Sequence, residues 1–574
     1  MEKNSRPIPW FLAALLSVLS LMTAYVPRAA AQQPKVISNA FSNAPTRFDV
    51  SPPLGSLVSL PPAPKSSHDP HTPKKPKLHG RGQASPSENA AAPNLIGARV
   101  TATQGLGFAG VDEIDDALDC PRIIGHSPVP PDTNAAVGDS QVVQWVNECY
   151  AVFNKSTGAL IAGPLAGTNF WSGFGGPCEA NNDGDIIIQW DKVNHRWLAA
   201  QNVFNSPGDN PPYYTCVAVS QTDDATGSYF RYQFPQPGFP DYPKWGKKGN
   251  VYYQTQNNFG DNDGFEGVTV CAYQANLMLK GNSKAQQVCI VDNSNGTLFD
   301  DSMLPADDDS PGPSSPEVLL GAIDNFLPGD THVYEYVFSV DFGNPKNSTL
   351  AGIDGSMPIS VPAFDLALCV SGGSLTTDCV PQPPPVLPVF AGQAADTLDT
   401  LGDRLMYRLA HFSGSNGTQH YVVTHSVNDG AGAVGQRWYE FRAKGLGSTN
   451  LYLYQTGQTP EDGEYRWMGS AAMDKAGDIA LGYSRSSANP GDYPSIYYAG
   501  QTAGDPLGTT ESEVLIKHGG GSQINSFDRW GDYSSMALDG ADSCTFWYTT
   551  EYYPMDGTRA WATWIASLKF PNCD

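Results

Sequence analysis

The chain has 574 residues, with 34 lysines and arginines against 58 aspartates and glutamates, so its formal net charge is −24. Proteins that bind nucleic acid or anionic lipid surfaces neutralise phosphate groups with basic stripes. The charge balance therefore argues against both kinds of partner, and it is typical of a well-solvated exported protein.

The N-terminus has the pattern of a secretory signal peptide. Lys3 and Arg6 form a basic start, residues 10–26 are largely apolar, and residues 29–31 are alanines of the kind that signal peptidase accepts. We expect residues 1–31 to be removed, with an uncleaved membrane anchor as the alternative. No later stretch reaches the roughly eighteen apolar residues of a membrane helix. We therefore expect no membrane span after cleavage and a secreted, periplasmic or cell-surface location.

The ten cysteines are even in number, and none forms a Cys-x-x-Cys pair or neighbours histidines at zinc-binding spacing. In an oxidising compartment such cysteines form disulfides. The sequence leaves their pairing open. Two pairs are attractive as local loops, Cys271–Cys289 and Cys369–Cys379, and a Cys544–Cys573 bond would fasten the C-terminus to the last repeat.

Composition divides the mature chain into two parts. Residues 32–95 are rich in proline, serine, alanine and lysine, which predicts a disordered tether that forms no packed core. Residues 96–574 show no sustained helical periodicity, and short β-branched or aromatic runs alternate with Gly, Asn, Asp and Pro turns. This second part is predicted to be one all-β domain, with two unrelated β-sandwiches as the alternative.

Seven loosely similar blocks repeat along this domain, each with a short strand of small residues, a polar turn and a longer aromatic or aliphatic strand. Their first strands lie at residues 135–139, 186–191, 242–246, 319–324, 405–410, 470–474 and 535–539. A spacing of roughly 50 to 85 residues is typical of propeller blades with insertions. We predict a disulfide-containing β-propeller with seven blades, six or eight remaining open. Residues 96–130 would supply an edge strand that closes the ring.

Several strings in these blocks resemble markers of a functionally uncharacterised family of secreted bacterial β-propeller proteins. The strings are Pro131-Asp-Thr-Asn-Ala-Ala-Val-Gly138, Asp241-Tyr-Pro-Lys-Trp-Gly246, Leu405-Met-Tyr-Arg-Leu-Ala410, Arg466-Trp-Met-Gly-Ser-Ala-Ala-Met-Asp474 and Arg529-Trp-Gly-Asp-Tyr-Ser-Ser535. The resemblance covers residues 130–573 and implies export and the fold, but no reaction. Residues 474–483 are distantly similar to the Asp-box turns of sialidase-type propellers, without the full Ser-x-Asp-x-Gly-x-Thr-Trp pattern.

Arginines recur at nearly the same phase of three successive blocks, where side chains point toward the propeller axis. They are Arg404, Arg408, Arg466 and Arg529, and they are accompanied by Tyr407, Trp467 and Trp530. Guanidinium groups bind carboxylates or sulfates through paired hydrogen bonds, and flat aromatic rings stack on sugars. We therefore predict a monomeric propeller that binds an anionic carbohydrate at its axial channel. In the alternative, each arginine pairs with a nearby acid such as Asp403, Glu464 or Asp532.

Two other functions stay open at this point. A sialidase-like glycoside hydrolase would use the same arginines together with Asp532, Tyr533 and Glu551 as catalytic groups, because such hydrolysis needs two groups that face one bond. A scaffold for protein partners would instead use the loops at the rim.

No cofactor is required by these functions, although calcium is a candidate. Asp261, Asp263 and Glu266 stand in a loop dense in oxygen ligands that suit this ion, without completing an EF-hand. No Gly-x-Ser-x-Gly elbow, His-Glu-x-x-His helix or Walker loop occurs, which disfavours serine hydrolases, zinc proteases and nucleotide-dependent enzymes.

Overall fold

The computed structural model describes most of the chain beyond the predicted signal peptide. The described residues are 33–56, 102–115, 117–205, 210–259, 265–293, 300–310, 313–322, 329–371, 374–445, 447–526 and 528–573. The predicted signal peptide and residues 57–95 of the predicted tether lie outside these ranges. Among the described residues, no helix has the length and apolar character needed to cross a membrane.

The first four strands come from the N-terminal part of the chain and join sheets formed by much later residues. They are β1 (Val36–Ile37), β2 (Phe41–Asn43), β3 (Arg47–Val50) and β4 (Thr103–Asp112). A 3-10 turn at Leu54–Ser56 follows β3, and the short helix α1 (Cys120–Ile124) follows β4.

The first three blades are consecutive antiparallel sheets. Blade 1 contains β5 (Thr133–Val137), β6 (Gln141–Val146), β7 (Cys149–Asn154) and β8 (Leu160–Ala166). After the short helices α2 (Gly167–Phe170) and α3 (Pro177–Ala180), blade 2 contains β9 (Ile187–Asp191), β10 (Arg196–Asn205), β11 (Asn210–Ser220) and β12 (Tyr229–Gln236). Blade 3 contains β13 (Phe239–Lys248), β14 (Val251–Phe259), β15 (Phe265–Gln274), the helix α4 (Ala275–Met278) and β16 (Gln287–Asp292).

Blades 4 and 5 are separated by a long insertion. Blade 4 contains β17 (Leu304–Asp308), β18 (Glu317–Gly321), β19 (Asp330–Ser339) and β20 (Thr349–Ala351), with β21 (Pro358–Phe364) beside β19. The insertion contains β22 (Cys369–Ser371), β23 (Ser374–Thr376), β24 (Asp378–Val380), a 3-10 turn at Pro388–Phe390 and β25 (Leu398–Asp399). Blade 5 contains β26 (Met406–Ser413), β27 (Thr418–Asn428), β28 (Val434–Lys444) and β29 (Tyr452–Gln458).

The last two blades complete the ring. Blade 6 contains β30 (Tyr465–Met473), β31 (Ile479–Ser486), β32 (Ser495–Gln501) and β33 (Val514–Lys517). Blade 7 contains β34 (Ser535–Leu538), β35 (Thr545–Tyr552) and β36 (Ala562–Lys569), and its fourth strand is the N-terminal β4.

The first strand of each blade lies next to the axis, and each of these seven strands contacts the one in the following blade around a closed circle. The fold is therefore a seven-bladed β-propeller, as the repeats predict. Small side chains such as Ala136, Ala472 and Ala537 belong to these inner strands, where larger ones would collide.

The position predicted for the inner strand of the fourth blade is wrong. The inner strand of blade 4 is β17, whereas residues 319–324 begin within the second strand, β18. The sequence of β17, Leu-Pro-Ala-Asp-Asp, has a proline and two acids and therefore has the composition of a loop.

Strand β4 closes the ring by pairing antiparallel with β36 from Lys569 to Ala562. This confirms the closing strand predicted within residues 96–130. Covering the edge of the last blade in this way removes a row of unpaired backbone groups that would promote association.

Part of the predicted tether also belongs to the propeller. Strands β3, β2 and β1 add a fifth strand to the outer edges of blades 2, 3 and 4, by pairing with β12, β16 and β20 respectively. We call residues 33–56 the N-terminal belt. Arg231 of β12, a fully buried side chain, binds the Asp49 carboxylate of the belt through two hydrogen bonds of 2.9 and 2.7 Å. The tether prediction is therefore wrong for the belt, because its few apolar and charged residues find partners far away in sequence.

Five disulfides join all ten cysteines. The three predicted pairs are confirmed, and the remaining bonds are Cys120–Cys149 and Cys178–Cys216. Complete pairing agrees with an oxidising compartment. The hydrophobic core lies between neighbouring blades, as where Trp190 and Trp197 of blade 2 pack with Ala136 and Val143 of blade 1.

Candidate functional site

An aspartate stands at or just before the start of the inner strand in six of the seven blades. These residues are Asp132, Asp185, Asp241, Asp301, Asp403 and Asp532. Five of the six residues are buried and Asp185 is partly buried. The starts of the inner strands lie around one end of the propeller axis, which we call the mouth. Blade 6 has Trp467 at the position that corresponds to Asp241. The two positions correspond because the residue after each of them, Met468 and Tyr242 respectively, has a positive φ.

A lysine occupies the middle of this acidic ring. The ammonium group of Lys244 lies 3.3 Å from the ring centroid of Tyr242 and 4.3 Å from that of Tyr533. Burial lowers the pKa of Lys244 to about 8, although the nearby carboxylates, Asp185 first, favour its charged form. The lysine is therefore a charge-balancing group at the centre of the mouth.

Two carboxyl groups at the mouth, those of Asp132 and Asp185, are coupled in their ionisation. Burial, reinforced by the charges of Asp532 and Asp185, holds the pKa of Asp132 well above its usual range. Burial also raises the pKa of Asp185, although the charge of Lys244 opposes this effect. The Oδ1 atom of Asp132 accepts a 2.9 Å hydrogen bond from the backbone N–H of Asp532. Burial raises the pKa of Asp241 in the same way, with Asp185 and Asp532 adding to the effect.

Beside this carboxyl cluster lies a small cleft between blades 1, 2 and 3 that is open to solvent, with about 440 Å³ of space when the solvent at its entrance is included. Its polar lining consists of Asp132, Asn147, Asp183, Asp185, Asn202 and Asp241. Its apolar lining includes the buried residues Phe204 and Phe239, whose ring centroids are 4.8 Å apart. Carboxyl groups, amide groups and an aromatic pair therefore line one small concave space, which we call the mouth cleft.

The four predicted arginines are not brought together. Arg404 and Arg529 lie near the mouth, where Arg404 binds Asp403 through hydrogen bonds of 2.8 and 2.9 Å and Arg529 binds Asp532. Arg529 is 3% exposed, and its Nε and Nη1 atoms have no hydrogen-bond partner among the described residues.

The other two arginines lie elsewhere. Arg408 binds Asp307 and Asp309 of blade 4, with distances of 2.9 and 2.7 Å. Arg466 lies in blade 6, fully buried between Asp462 and Glu513. Each of the four guanidinium groups thus has at least one acidic partner. This is the alternative considered in the sequence analysis, in which each arginine pairs with a nearby acid. The predicted partner Glu464 gives Arg466 only its backbone carbonyl.

The predicted aromatic residues are also buried. Trp467 and Trp530 pack against each other with ring centroids 5.4 Å apart, and Trp530 donates a 3.1 Å hydrogen bond to Ser484. Tyr407 lies below the mouth, where its hydroxyl accepts a 3.4 Å hydrogen bond from Gln189. None of these three residues lines the mouth cleft.

The candidate catalytic groups likewise have structural partners. The Tyr533 hydroxyl donates a 3.4 Å hydrogen bond to the carbonyl of Ile186. The Glu551 carboxyl accepts a 3.0 Å hydrogen bond from the N–H of Gly531, and burial holds its pKa well above the usual range. The Asp532 carboxylate is bound to Arg529. None of these three residues is in the lining of the mouth cleft. Their catalytic role stays a prediction.

The calcium candidate is only partly covered by the structure. Asp261 and Asp263 lie outside the described residues, and Glu266 is an exposed residue of β15. Within the described ranges, no cluster of three or more His, Cys, Asp or Glu side chains is arranged to hold a metal ion. Calcium binding by the loop stays a prediction.

The aspartate that recurs near the start of the inner strands was not predicted from sequence. Four of the six, Asp132, Asp241, Asp403 and Asp532, stand within or beside the strings that mark the blocks. The detectable signal was an acid placed a few residues before a small-residue strand, once in nearly every block.

Raising the pH from about 5 to about 9 should lower the melting temperature of the protein by several degrees. Buried carboxyl groups such as Asp132, Asp241 and Glu551 have pKa values far above those of the unfolded chain, and that of Glu113 is raised to about 9 by burial. In this window the folded state binds more protons than the unfolded state, so the stability falls as protons are removed. Thermal denaturation across a pH series measures the effect.

A pair of variants assigns this pH dependence to a buried group. Glu551→Gln removes one raised pKa and keeps the acceptor for Gly531, so its melting temperature should fall less with pH. Glu461→Gln neutralises an exposed acid and should show the full decline. A flat or rising profile in the unaltered protein would contradict the prediction.

Comparison with known proteins found likenesses among solved structures only. No family model matches the chain, and no curated protein matches it. Among solved structures, the chain is similar to the Penicillium chrysogenum α-L-arabinanase complexed with arabinobiose, with 8% identity, a TM-score of 0.34 and coverage of 82% of this chain and 100% of that one. A subtype N11 neuraminidase-like protein (flat-faced bat, Peru) matches with 10% identity, a TM-score of 0.30 and coverage of 77% and 99%. Domains 1–2 of Drosophila Semaphorin 1b match with 10% identity, a TM-score of 0.32 and coverage of 83% and 88%. Because these scores and identities are low, the likenesses assign neither a family nor a ligand.

Proposed function

We propose that this protein is an exported propeller that binds a neutral carbohydrate in the mouth cleft. The observation that carries the proposal is the lining of the cleft, which combines carboxyl and amide groups with the rings of Phe204 and Phe239. Sugar hydroxyls pair with carboxyl and amide groups, and the C–H face of a sugar packs on aromatic rings.

The charge at the mouth favours a neutral sugar over the acidic one expected from sequence. Six aspartates face three cations, Lys244, Arg404 and Arg529, and both of these arginines bind acids. No lysine or arginine is among the residues that line the mouth cleft, so an additional carboxylate or sulfate would meet carboxyl and amide groups and no cation there. Sugar hydroxyls can donate to the ionised carboxylates and accept from the protonated ones.

We favour binding over hydrolysis because the catalytic candidates Asp532, Tyr533 and Glu551 do not line the mouth cleft. Glycoside hydrolysis needs two catalytic groups that face one bond. The binding experiment below distinguishes this proposal from its two alternatives, which are a sialidase-like hydrolase and a scaffold that binds protein partners at its rim loops.

A glycan array of neutral and acidic sugars, read for binding and for loss of label, tests the proposal on residues 32–574. Neutral glycans should bind, and Asp185→Asn or Asp241→Asn should weaken binding at least tenfold, because the amide alters the hydrogen-bonding pattern in the cleft. Asp223→Asn is the matched control at an exposed aspartate and should bind like the unaltered chain.

Three outcomes would overturn parts of this proposal. Loss of label would establish hydrolysis. Binding that survives both cleft substitutions would place the ligand elsewhere. An oxidised, folded sample that binds no glycan would favour a protein partner at the rim loops.

A further inference from the structure

A second concave site lies between blades 5 and 6, at the face opposite the mouth. Its cavity volume is about 250 Å³, and it is lined by the turns that end β26, β30 and β32 and by the adjoining ends of β27, β28 and β29. We call it the inter-blade groove. Its residues belong neither to the mouth cleft nor to the arginine set predicted from sequence.

A buried glutamate organises the polar side of this groove. Glu440 is 1% exposed and accepts three hydrogen bonds, from His420 Nδ1 at 2.8 Å, Arg442 Nε at 2.5 Å and Gln455 Nε2 at 2.7 Å. These donors hold its pKa below the usual value in spite of burial, which by itself would raise it. Glu440 is therefore an ionised positioning residue that fixes the orientation of a histidine and an arginine at the groove.

The groups presented to the groove are hydrogen-bond donors. The Arg442 guanidinium lies flat over the ring of Tyr454, with Cζ 3.2 Å from the ring centroid, and only its Nε is used by Glu440. Lys475 is an exposed residue of the lining, and no acid pairs with its ammonium group among the described residues. Such a preorganised guanidinium beside a lysine is suited to an oxyanion.

The acids at the groove leave these donors available. Glu440 lies beneath Arg442 and is already bound by three side chains, while the Asp505 carboxylate accepts two hydrogen bonds from Thr502 in its own turn. Apolar surface from Phe412, Leu507 and the ring of Tyr454 lies beside the donors. Leu507 is 54% exposed, so this surface is open to a ligand.

We infer that the inter-blade groove binds a saccharide that bears an oxyanion, with Arg442 and Lys475 holding the oxyanion and the apolar surface contacting the sugar ring. The shared chemistry is a carboxylate or a sulfate on a sugar. This site goes beyond the neutral-sugar site proposed at the mouth and is independent of it. It differs from the four arginines predicted from sequence, because those four are buried, whereas the Arg442 side chain is 23% exposed and lines the groove.

Isothermal titration calorimetry on residues 32–574 tests the inference with three probes: a tetramer of a hexuronic acid, a sulfated hexose tetramer and the same hexose tetramer without sulfate. At least one acidic probe should bind in a salt-sensitive manner. The double variant Arg442→Gln with Lys475→Gln should weaken that binding at least tenfold. A comparison of the two acidic probes identifies the carboxylate or the sulfate as the preferred group.

The control is a double variant with the same change of charge at exposed lysines elsewhere, Lys284→Gln with Lys346→Gln, which should bind like the unaltered chain. Asp185→Asn should also leave the acidic probe bound, which separates this site from the mouth cleft. If neither acidic probe binds the folded protein, or if both double variants bind equally, the inference is overturned. Thermal denaturation of each variant verifies that it is folded.

Discussion

A chain that begins at residue 57 should melt at a clearly lower temperature than one that begins at residue 32, and it should associate in solution. The N-terminal belt covers the outer edges of blades 2, 3 and 4, and its Leu54 side chain is 3% exposed. Each hydrogen bond lost costs about 1 kcal/mol and each buried apolar side chain about 2 kcal/mol. The uncovered edges also offer unpaired backbone groups to other chains.

Thermal denaturation and size-exclusion chromatography measure both effects. The point variant Asp49→Asn separates the ion pair with Arg231 from the loss of the whole belt, and it should reduce stability without causing association. A chain that begins at residue 57 and stays monomeric with an unchanged melting temperature would show that the belt contributes nothing to the fold.

Replacing Arg466 by methionine should lower the free energy of unfolding by about 3–5 kcal/mol. The guanidinium binds Asp462 with two hydrogen bonds of 2.8 Å and Glu513 with two of 2.9 and 3.0 Å, and the arginine is fully buried. Removing it leaves a partly buried carboxylate with fewer partners. Lysine cannot form two bidentate pairs, so Arg466→Lys should also be destabilising.

Denaturant unfolding of Arg466→Met, Arg466→Lys and the exposed control Lys444→Met measures this cost, and only the control should keep the original stability. The same variants distinguish the structural role from the ligand-binding role predicted from sequence. If Arg466→Met were as stable as the unaltered chain and had lost binding to acidic glycans, the ligand-binding prediction would be the correct one.

Much of the architecture could be predicted because it depends on local patterns. Strands of small residues followed by aromatic or aliphatic strands indicate blades, and the even set of cysteines indicates disulfides. The exceptions are segments whose partners are distant. Strand β17 has the composition of a loop, and it forms a strand because its residues Ala306–Asp308 pair in parallel with Leu409–His411 of blade 5. The belt likewise has the composition of a linker, and its strands form on edges supplied some 180 to 315 residues later.

The sequence by itself determined the all-β class and the repeated blades, since these follow from periodicity and spacing along the chain. It indicated seven blades, a closing strand and three attractive disulfide pairs, and it left the number of blades and the cysteine pairing open. Tertiary structure decided the chemistry of the site. Arg408 binds Asp307, 101 residues away, and Arg466 binds Glu513, 47 residues away, so the number of charges that remain for a ligand is unknown until the blades are placed side by side. The six aspartates converge for the same reason, because closing the ring brings the starts of all inner strands to one end of the axis. Residue type indicates which charges are present, and only the packing of the blades decides which of them neutralise each other.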